Sequence, residues 1–333
     1  MKVLKTVLFG LIVLALAACK REKTESGQAS SPNVKAKVPV PRFERDSAYA
    51  YLARQVSFGP RVPNTEAHRQ TKEWLAGKFR AFGAKVIEQD FQAKAYTGET
   101  LQATNIIAQY NPEANKRVLL AAHWDTRPFA DSPISEERQT EPILGADDGA
   151  SGVAVLLEIA RQLQQHPIDM GVDIVLFDAE DYGESGGKNP NTYALGSQHW
   201  SRHLHVSGEQ LPKYGILLDM VGAADARFPK EYFSAQYAPR LLNRVWKLAQ
   251  SMGYGNYFVN AQDGGITDDH YYVNTIARIP MIDIINRPEG TQTGFGAYWH
   301  THEDNLGIID KRTLRAVGQV VLAVIYRENN GDF

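Results

Sequence analysis

The sequence predicts one α/β domain built on a central mixed, mostly parallel sheet flanked by helices. Three observations carry that prediction. Short apolar runs rich in β-branched residues alternate with longer stretches of helical apolar spacing from Phe43 to the C-terminus. No internal repeat or second linker interrupts the alternation. Histidine and carboxylate residues stand just after several of the apolar runs, where the working crevice of an open α/β sheet lies. With 333 residues, 43% of them hydrophobic, the chain can bury such a core.

The N-terminus is read separately. Met1 to Lys5 is basic, and Thr6 to Ala18 is an apolar run too short for an ordinary membrane span. It ends Leu16-Ala17-Ala18-Cys19, which resembles the bacterial lipoprotein signal. Residues 1–18 are expected to be removed as a signal peptide, leaving a lipid on Cys19. Lys20 follows, with no Asp to retain the protein at the inner membrane, so a lipid anchor in the outer membrane facing the periplasm is expected. Residues 19–42 are polar, with scattered Ser, Pro and Lys and no apolar periodicity, and read as a flexible tether. The catalytic domain is expected over 43–333.

Within that domain Asp46 to Phe58 and Asn64 to Phe82 have helical spacing, the second with Asn64 as N-cap and Gly83 as stop. Ala84 to Tyr96 and Thr104 to Tyr110 read as an antiparallel strand pair. Arg117 to Ala122 is a strand running into His123-Trp124-Asp125. Gly149 to Gln165 is a helix. Asp173 opens a buried strand that ends in Asp178, Glu180 and Asp181. Tyr214 to Leu218 is a strand ending on Asp219. Ala238 to Met252 is an amphipathic helix, Asn256 to Val259 a short strand, Pro280 to Ile285 a strand, and Asp310 to Arg327 a final helix capped by Asp310.

Composition narrows the chemistry. The formal net charge is -2 and no long basic run occurs, which argues against nucleic acid as a partner. A chain with 1 Cys forms no internal disulfide and no thiolate cluster, so a metal site must use His, Asp and Glu. Glu180 and Asp181 alone could be a solvated acidic turn. Asp147 or Asp148 could merely cap a helix, and His123, Asp219, His300 and His302 each have an ordinary structural reading. Five segments, however, deliver such residues to one edge of the sheet: His123 and Asp125, Asp147 and Asp148, Glu180 and Asp181, Asp219, and His300. One His with two carboxylates and an open position is a plausible catalytic zinc shell, and ligands remain for a second ion.

Gly145-Ala-Asp-Asp-Gly-Ala-Ser-Gly152, the Glu180-Asp181 pair and Trp299-His300-Thr301 resemble the metal-binding motifs of the zinc aminopeptidase-like peptidases. Leu217-Leu-Asp-Met-Val-Gly-Ala223, Ile266-Thr-Asp-Asp-His270 and Tyr298-Trp-His-Thr301, with Asp304-Asn305 beyond, are similar to the glutaminyl cyclase branch of that family; Tyr193 to His199 adds a weaker match. The resemblance runs from Phe43 to the C-terminus. It implies the zinc aminopeptidase-like α/β sandwich, one zinc ion on Asp148, Asp181 and His300, and Glu180 as proton shuttle. It further implies Asp219 and Asp268 in a hydrogen-bonded acidic network with Glu180, and a pocket walled by Trp299 and Phe295 with Ile266 behind. The substrates implied are peptides or proteins with N-terminal Gln, met by a monomer that touches the membrane only through its lipid. The sequence departs from the animal enzymes at Asp181, where they carry Glu, in lacking domain cysteines, and in the Gly-rich stretch after Tyr182.

Two rival chemistries stay in view. A two-zinc aminopeptidase of the same fold would use His123, Asp148, Asp181, Asp219 and His300; Asp268 and Trp299 speak for the cyclase. A serine hydrolase would use Ser185 in Gly183-Glu-Ser-Gly-Gly187 with Asp219 and His300, but Lys188-Asn-Pro-Asn191 reads as loop where the nucleophile elbow needs a helix. A binding module on a retired enzyme fold would have lost a site residue, and none is missing.

Overall fold

The computed structural model describes residues 37–187 and 189–333. The expected signal peptide, Cys19 and the tether through residue 36 lie outside the described residues. Ordered packing reaches upstream of Phe43: the Val38 amide donates to the Asn330 side chain at 3.1 Å, and Gln319 donates to the Pro41 carbonyl at 3.0 Å.

The strands are β1 (Lys85–Lys94), β2 (Thr100–Tyr110), β3 (Arg117–His123), β4 (Gly171–Phe177), β5 (Gly215–Asp219), β6 (Phe228–Lys230), β7 (Phe258–Gln262) and β8 (Met281–Ile285). The helices are α1 (Arg45–Val56), α2 (Glu66–Ala81), α3 (Ala150–Gln165), α4 (Leu195–Arg202), α5 (Tyr232–Tyr237), α6 (Pro239–Ser251), α7 (Asp269–Tyr272) and α8 (Lys311–Asn330). Six strands form the main sheet in the order β1-β2-β4-β3-β5-β8, while β6 and β7 pair separately. The β4, β3, β5 and β8 strands run parallel, and the β1-β2 hairpin joins antiparallel through β2. This is the mixed, mostly parallel sheet expected.

The parallel strands are covered on both faces, which is why they read as apolar runs broken, before their carboxyl ends, only by the buried Arg117, Asp173 and Asp283. Side chains alternate across the sheet. Leu120, Ile174, Ile216 and Ile284 pack with α1, α3 and α8 on one face. Leu119, Val175, Leu217 and Met281 pack on the other with Trp200 of α4 and Val273. At the amino end of β3 and β4, the fully buried Arg117 and Asp173 pair at 2.7 Å, and Arg117 also donates to the Asn111, Pro112 and Ala114 carbonyls. A buried charge pair survives only with its remaining donors satisfied, as here.

Some local details differ from the sequence reading. Thr65 rather than Asn64 caps α2, its hydroxyl accepting from the His68 amide at 3.3 Å. Asn64 sits at φ 72, and its carboxamide instead accepts from the Gln102 amide and donates to the Thr100 carbonyl. The short strand expected over 256–259 is displaced to β7. β6, α4, α5 and α7 have no sequence expectation behind them. Among the described residues no helix is long and apolar enough to cross a membrane.

Candidate active site

The carboxyl ends of β3, β4, β5 and β8 converge, and each delivers polar side chains. β3 ends on His123 and leads to Asp125. β4 leads into Asp178-Ala-Glu180-Asp181, β5 ends on Asp219, and the long connection after β8 carries His300. Asp148 lies in the turn that enters α3. That turn packs tightly on β3: a Cβ on Gly149 would stand 2.7 Å from the His123 ring and carbonyl, so only glycine fits. Three non-glycine residues adopt left-handed backbone at this edge: Ala179 before Glu180, Met220 after Asp219, and His300 itself, at φ 51, 47 and 54. Such residues store local strain, and they cluster where a side chain must be aimed.

Two overlapping groups of donors result. Asp148, Asp181 and His300 bring one ligand atom each to within 4.8 Å of one another, and so do His123, Asp148 and Asp219. His300 Nε2 lies 3.0 Å from Asp181 Oδ1 and 3.7 Å from Asp148 Oδ2. His123 Nε2 lies 3.0 Å from Asp148 Oδ1 and 3.2 Å from Asp219 Oδ1. All five residues are buried. Asp181 Oδ2 is buried without a hydrogen-bond partner. Two buried carboxylates on one histidine, with an oxygen left unmet, fit a divalent cation, and the nitrogen and oxygen donor set suits zinc. Asp178, the first acid of the same run, turns away: both its oxygens lie 2.9 Å from His68 Nε2, and one accepts the Thr104 amide.

Beside the first group opens a cavity of about 170 Å³, lined among others by Glu180, Tyr193, Asp219, Ile266, Asp268, Phe295 and Trp299. Trp299 stacks on the His300 ring at 3.7 Å, and Phe295 stacks on Trp299 at 4.6 Å. Trp299 and Phe295 thus form one aromatic wall reaching the histidine, and Ile266 lines the same cavity. A larger groove of about 790 Å³ runs along α2, β1 and β2, but it is an open surface away from both donor groups.

Glu180 is walled in by protein yet opens to the cavity. Burial pushes its carboxyl well above the usual carboxylate range, Asp268 and Asp181 add to the rise, and His123 opposes it. Asp219 is pushed up to about 8, chiefly by burial and also by Asp148, against the hydrogen bond from His123. Burial likewise raises Asp268. The acidic network differs from expectation in its wiring. Among the described residues no hydrogen bond directly joins Glu180, Asp219 and Asp268. Asp219 is turned to His123, and Asp268 caps α7 by accepting the Asp269 amide. Carboxylates repel one another unless a proton is shared, so the three interact through charge across the cavity.

Several supporting residues have roles that the sequence does not show, although Asp125 and Asp304 were among the positions it singled out. Asp125 accepts the Glu180 and Asp181 amides. Asp304 accepts the Asp147 and Asp148 amides at 2.7 and 3.2 Å and so braces the turn into α3. The buried Arg127 holds the Asp181 and Gly183 carbonyls and grips Asp131 with two nitrogens at 3.0 and 2.7 Å. Asp131 in turn lies 3.7 Å from His300 Nδ1, the place of an outer carboxylate that orients a metal-binding histidine. His302 faces the Arg138 carbonyl instead, and Ser185 lies in an exposed turn followed by loop, which removes the nucleophile-elbow geometry.

Known proteins share this fold and sequence pattern. The structure of Bacteroides thetaiotaomicron glutaminyl cyclase bound to N-acetylhistamine matches with a TM-score of 0.84 at 51% identity, over 86% of this chain and 99% of that one. A glutaminyl-peptide cyclotransferase of Drosophila melanogaster is 28% identical over 76% of this chain and 73% of its own length. Aminopeptidase YwaD of Bacillus subtilis is 29% identical over 72% of this chain, which spans only 47% of that longer protein. The model of peptidase family M28 matches residues 105–325. With that match across about two thirds of the chain, the chain belongs to peptidase family M28.

Proposed function

We propose that this chain is a zinc-dependent glutaminyl-peptide cyclotransferase, converting N-terminal Gln of peptides or proteins to pyroglutamate with release of ammonia. The observation that carries the reading is the small cavity in which Glu180 and Asp268 share one space with the Asp148, Asp181 and His300 donors and the Trp299–Phe295 wall. It has room for one compact side chain. Its similarity to bacterial glutaminyl cyclase over nearly the whole domain supports the same reading.

Asp148, Asp181 and His300 would hold one zinc ion, which when bound supplies Lewis acidity toward an amide oxygen. The chain's own groups perform the rest. Trp299, Phe295 and Ile266 hold the Gln side chain folded back and exclude water, which brings the α-amine to the γ-carboxamide carbon. As the amine nitrogen bonds to that carbon, Glu180 accepts its proton and passes it to the nitrogen that leaves as ammonia. The raised Glu180 carboxyl suits a group that must both take and return a proton. Asp268 faces Glu180 across the cavity and is placed to receive the α-amine; Asp219 keeps His123 turned toward Asp148. Replacing Glu180 by Gln keeps the shape and removes the base. Zinc is expected to stay while turnover falls by roughly 10²-fold or more; full turnover in Glu180→Gln contradicts the assignment.

The rival reading is a two-zinc aminopeptidase. It is favoured by the second donor group, in which His123 and Asp219 share Asp148 with the first.

For the cell we propose a bacterial lipoprotein, cut before Cys19, held to the outer membrane by its lipid, facing the periplasm and acting as a monomer. The Leu16 to Cys19 motif supports the cleavage and the anchor. Cys19→Ser is expected to abolish lipid labelling and processing; a mutant lipidated like wild type overturns it.

A further inference from the structure

Glu231 is fully buried just before α5, outside both donor groups, and its two oxygens take four donors. Oε1 accepts the Phe233 amide at 2.8 Å and the Ile266 amide at 3.1 Å. Oε2 accepts the Ser234 amide at 2.6 Å and meets His270 Nε2 at 3.0 Å. An N-cap needs only the two α5 amides. The other two donors belong to a different segment and bracket it: Ile266 and His270 stand on either side of Asp268, which lies midway between them. Ile266 and Asp268 both line the cavity.

His270 is buried, and its only side-chain hydrogen bond among the described residues is the one to Glu231; Nδ1 has none. Its Nδ1 lies 3.9 Å from Asp283 Oδ2, on the strand beneath. Asp283 leaves β8 on the face opposite to Ile282 and Ile284, the face that α7 covers. The segment carrying Asp268 is therefore clamped from the α5 side by the Ile266 and His270 bonds to Glu231, while His270 lies over Asp283 without bonding to it. Burial opposes ionisation of Glu231, but the His270 hydrogen bond and charge and the α5 amides outweigh it and hold the carboxyl down at about 2. A fixed negative charge is what such a four-donor clamp requires.

We infer that Glu231 is a positioning residue for the reaction: through the Ile266 amide and His270 it fixes the loop that carries the pocket wall and Asp268. The inference rests on the cyclase reading for the role of Asp268. It makes the accuracy of the substrate amine's placement depend on a carboxylate that touches neither substrate nor the two donor groups at the strand ends; its partner His270 belongs with Asp268 and Asp283 to a third set of close His and Asp side chains.

The test uses the full zinc-loaded chain and a Gln-initiated dipeptide, reading kcat, KM, zinc content and thermal melting. In His270→Gln the side-chain amide replaces Nε2 as donor to Glu231; in His270→Ala that donor is gone and the α5 cap stays. Misplacement on the order of 1 Å can cost about 10²-fold, so His270→Ala should lose roughly 10- to 10²-fold in kcat/KM with zinc content unchanged. His270→Gln should recover most of the loss. In an Asp268→Asn background, His270→Ala should add no more than about 2-fold, since both changes act on one group. Equal activity in His270→Ala and His270→Gln, or losses that combine in full with Asp268→Asn, overturns the inference. If His270→Ala does not fold, His270→Asn replaces it, because its shorter amide keeps a polar group in the site without reaching Glu231. Wild-type chain that fails to cyclise the dipeptide overturns the cyclase reading instead, so the two failures are told apart.

Discussion

Asp125 accepts hydrogen bonds from the backbone amides of both Glu180 and Asp181, at 3.1 Å each, one to each carboxylate oxygen. A residue at the end of β3 thereby sets the turn that follows β4, and places the proposed base and a proposed zinc ligand in one movement. Asp125 also faces His123 Nδ1 at 3.6 Å. Asp125→Ala leaves two buried amides unmet, at about 1–3 kcal/mol each. Outer partners of metal ligands are typically worth about 10- to 100-fold in metal affinity or activity. Asp125→Ala should therefore lose zinc to a chelator more readily and lose activity in parallel. Wild-type zinc retention and activity in this variant would contradict the role.

The two donor groups make the metal count decisive. With one zinc on Asp148, Asp181 and His300, wild-type chain should hold one equivalent by elemental analysis. His123→Ala should keep it, because His123 belongs only to the second group. His300→Ala should lose zinc and activity together, since a three-ligand site is badly weakened by losing one. Two tightly held equivalents in wild type, falling to one in His123→Ala, would establish the two-metal arrangement.

Glu231 gives stability a signature in acid. Its carboxyl is lowered from an ordinary value near 4.5 to about 2 in the folded chain. A depressed carboxylate contributes stability in full above the unfolded value and loses it as pH falls toward the folded one. At about 1.4 kcal/mol per unit the contribution is on the order of 3 kcal/mol. Denaturant unfolding of wild type and Glu231→Gln should differ most above pH 4.5 and converge as pH falls toward 2. A difference that is constant or grows over that range would contradict the assignment.

Much of the site was readable because parallel strands buried on both faces are apolar to their ends. The polar residues at those ends, His123, Asp178, Glu180, Asp181 and Asp219, stand out against that background, though Asp178 turns away to His68. His300 has no such frame and was found by its motif. Asp131 and Glu231 were not legible, and Asp304 stood in a motif without its bracing role being readable. Each is a single carboxylate whose partners lie on distant segments, Asp304 bracing amides 156 and 157 residues away. Adjacent capping residues also compete: Asn64 and Thr65 are both good caps, and only the sheet contacts of Asn64 decide between them. The short β6, α5 and α7 hold too few residues to show a period.

The most direct test of the central claim is the product formed from a Gln-Xaa peptide by the purified, zinc-loaded chain, read by mass spectrometry beside Leu-Xaa. Intramolecular attack by the α-amine gives the intact peptide less one ammonia, and Leu-Xaa remains unchanged; that is the expected result. Release of free amino acid from Leu-Xaa, with Gln-Xaa left uncyclised, would contradict it, and the residues described here would then serve an aminopeptidase.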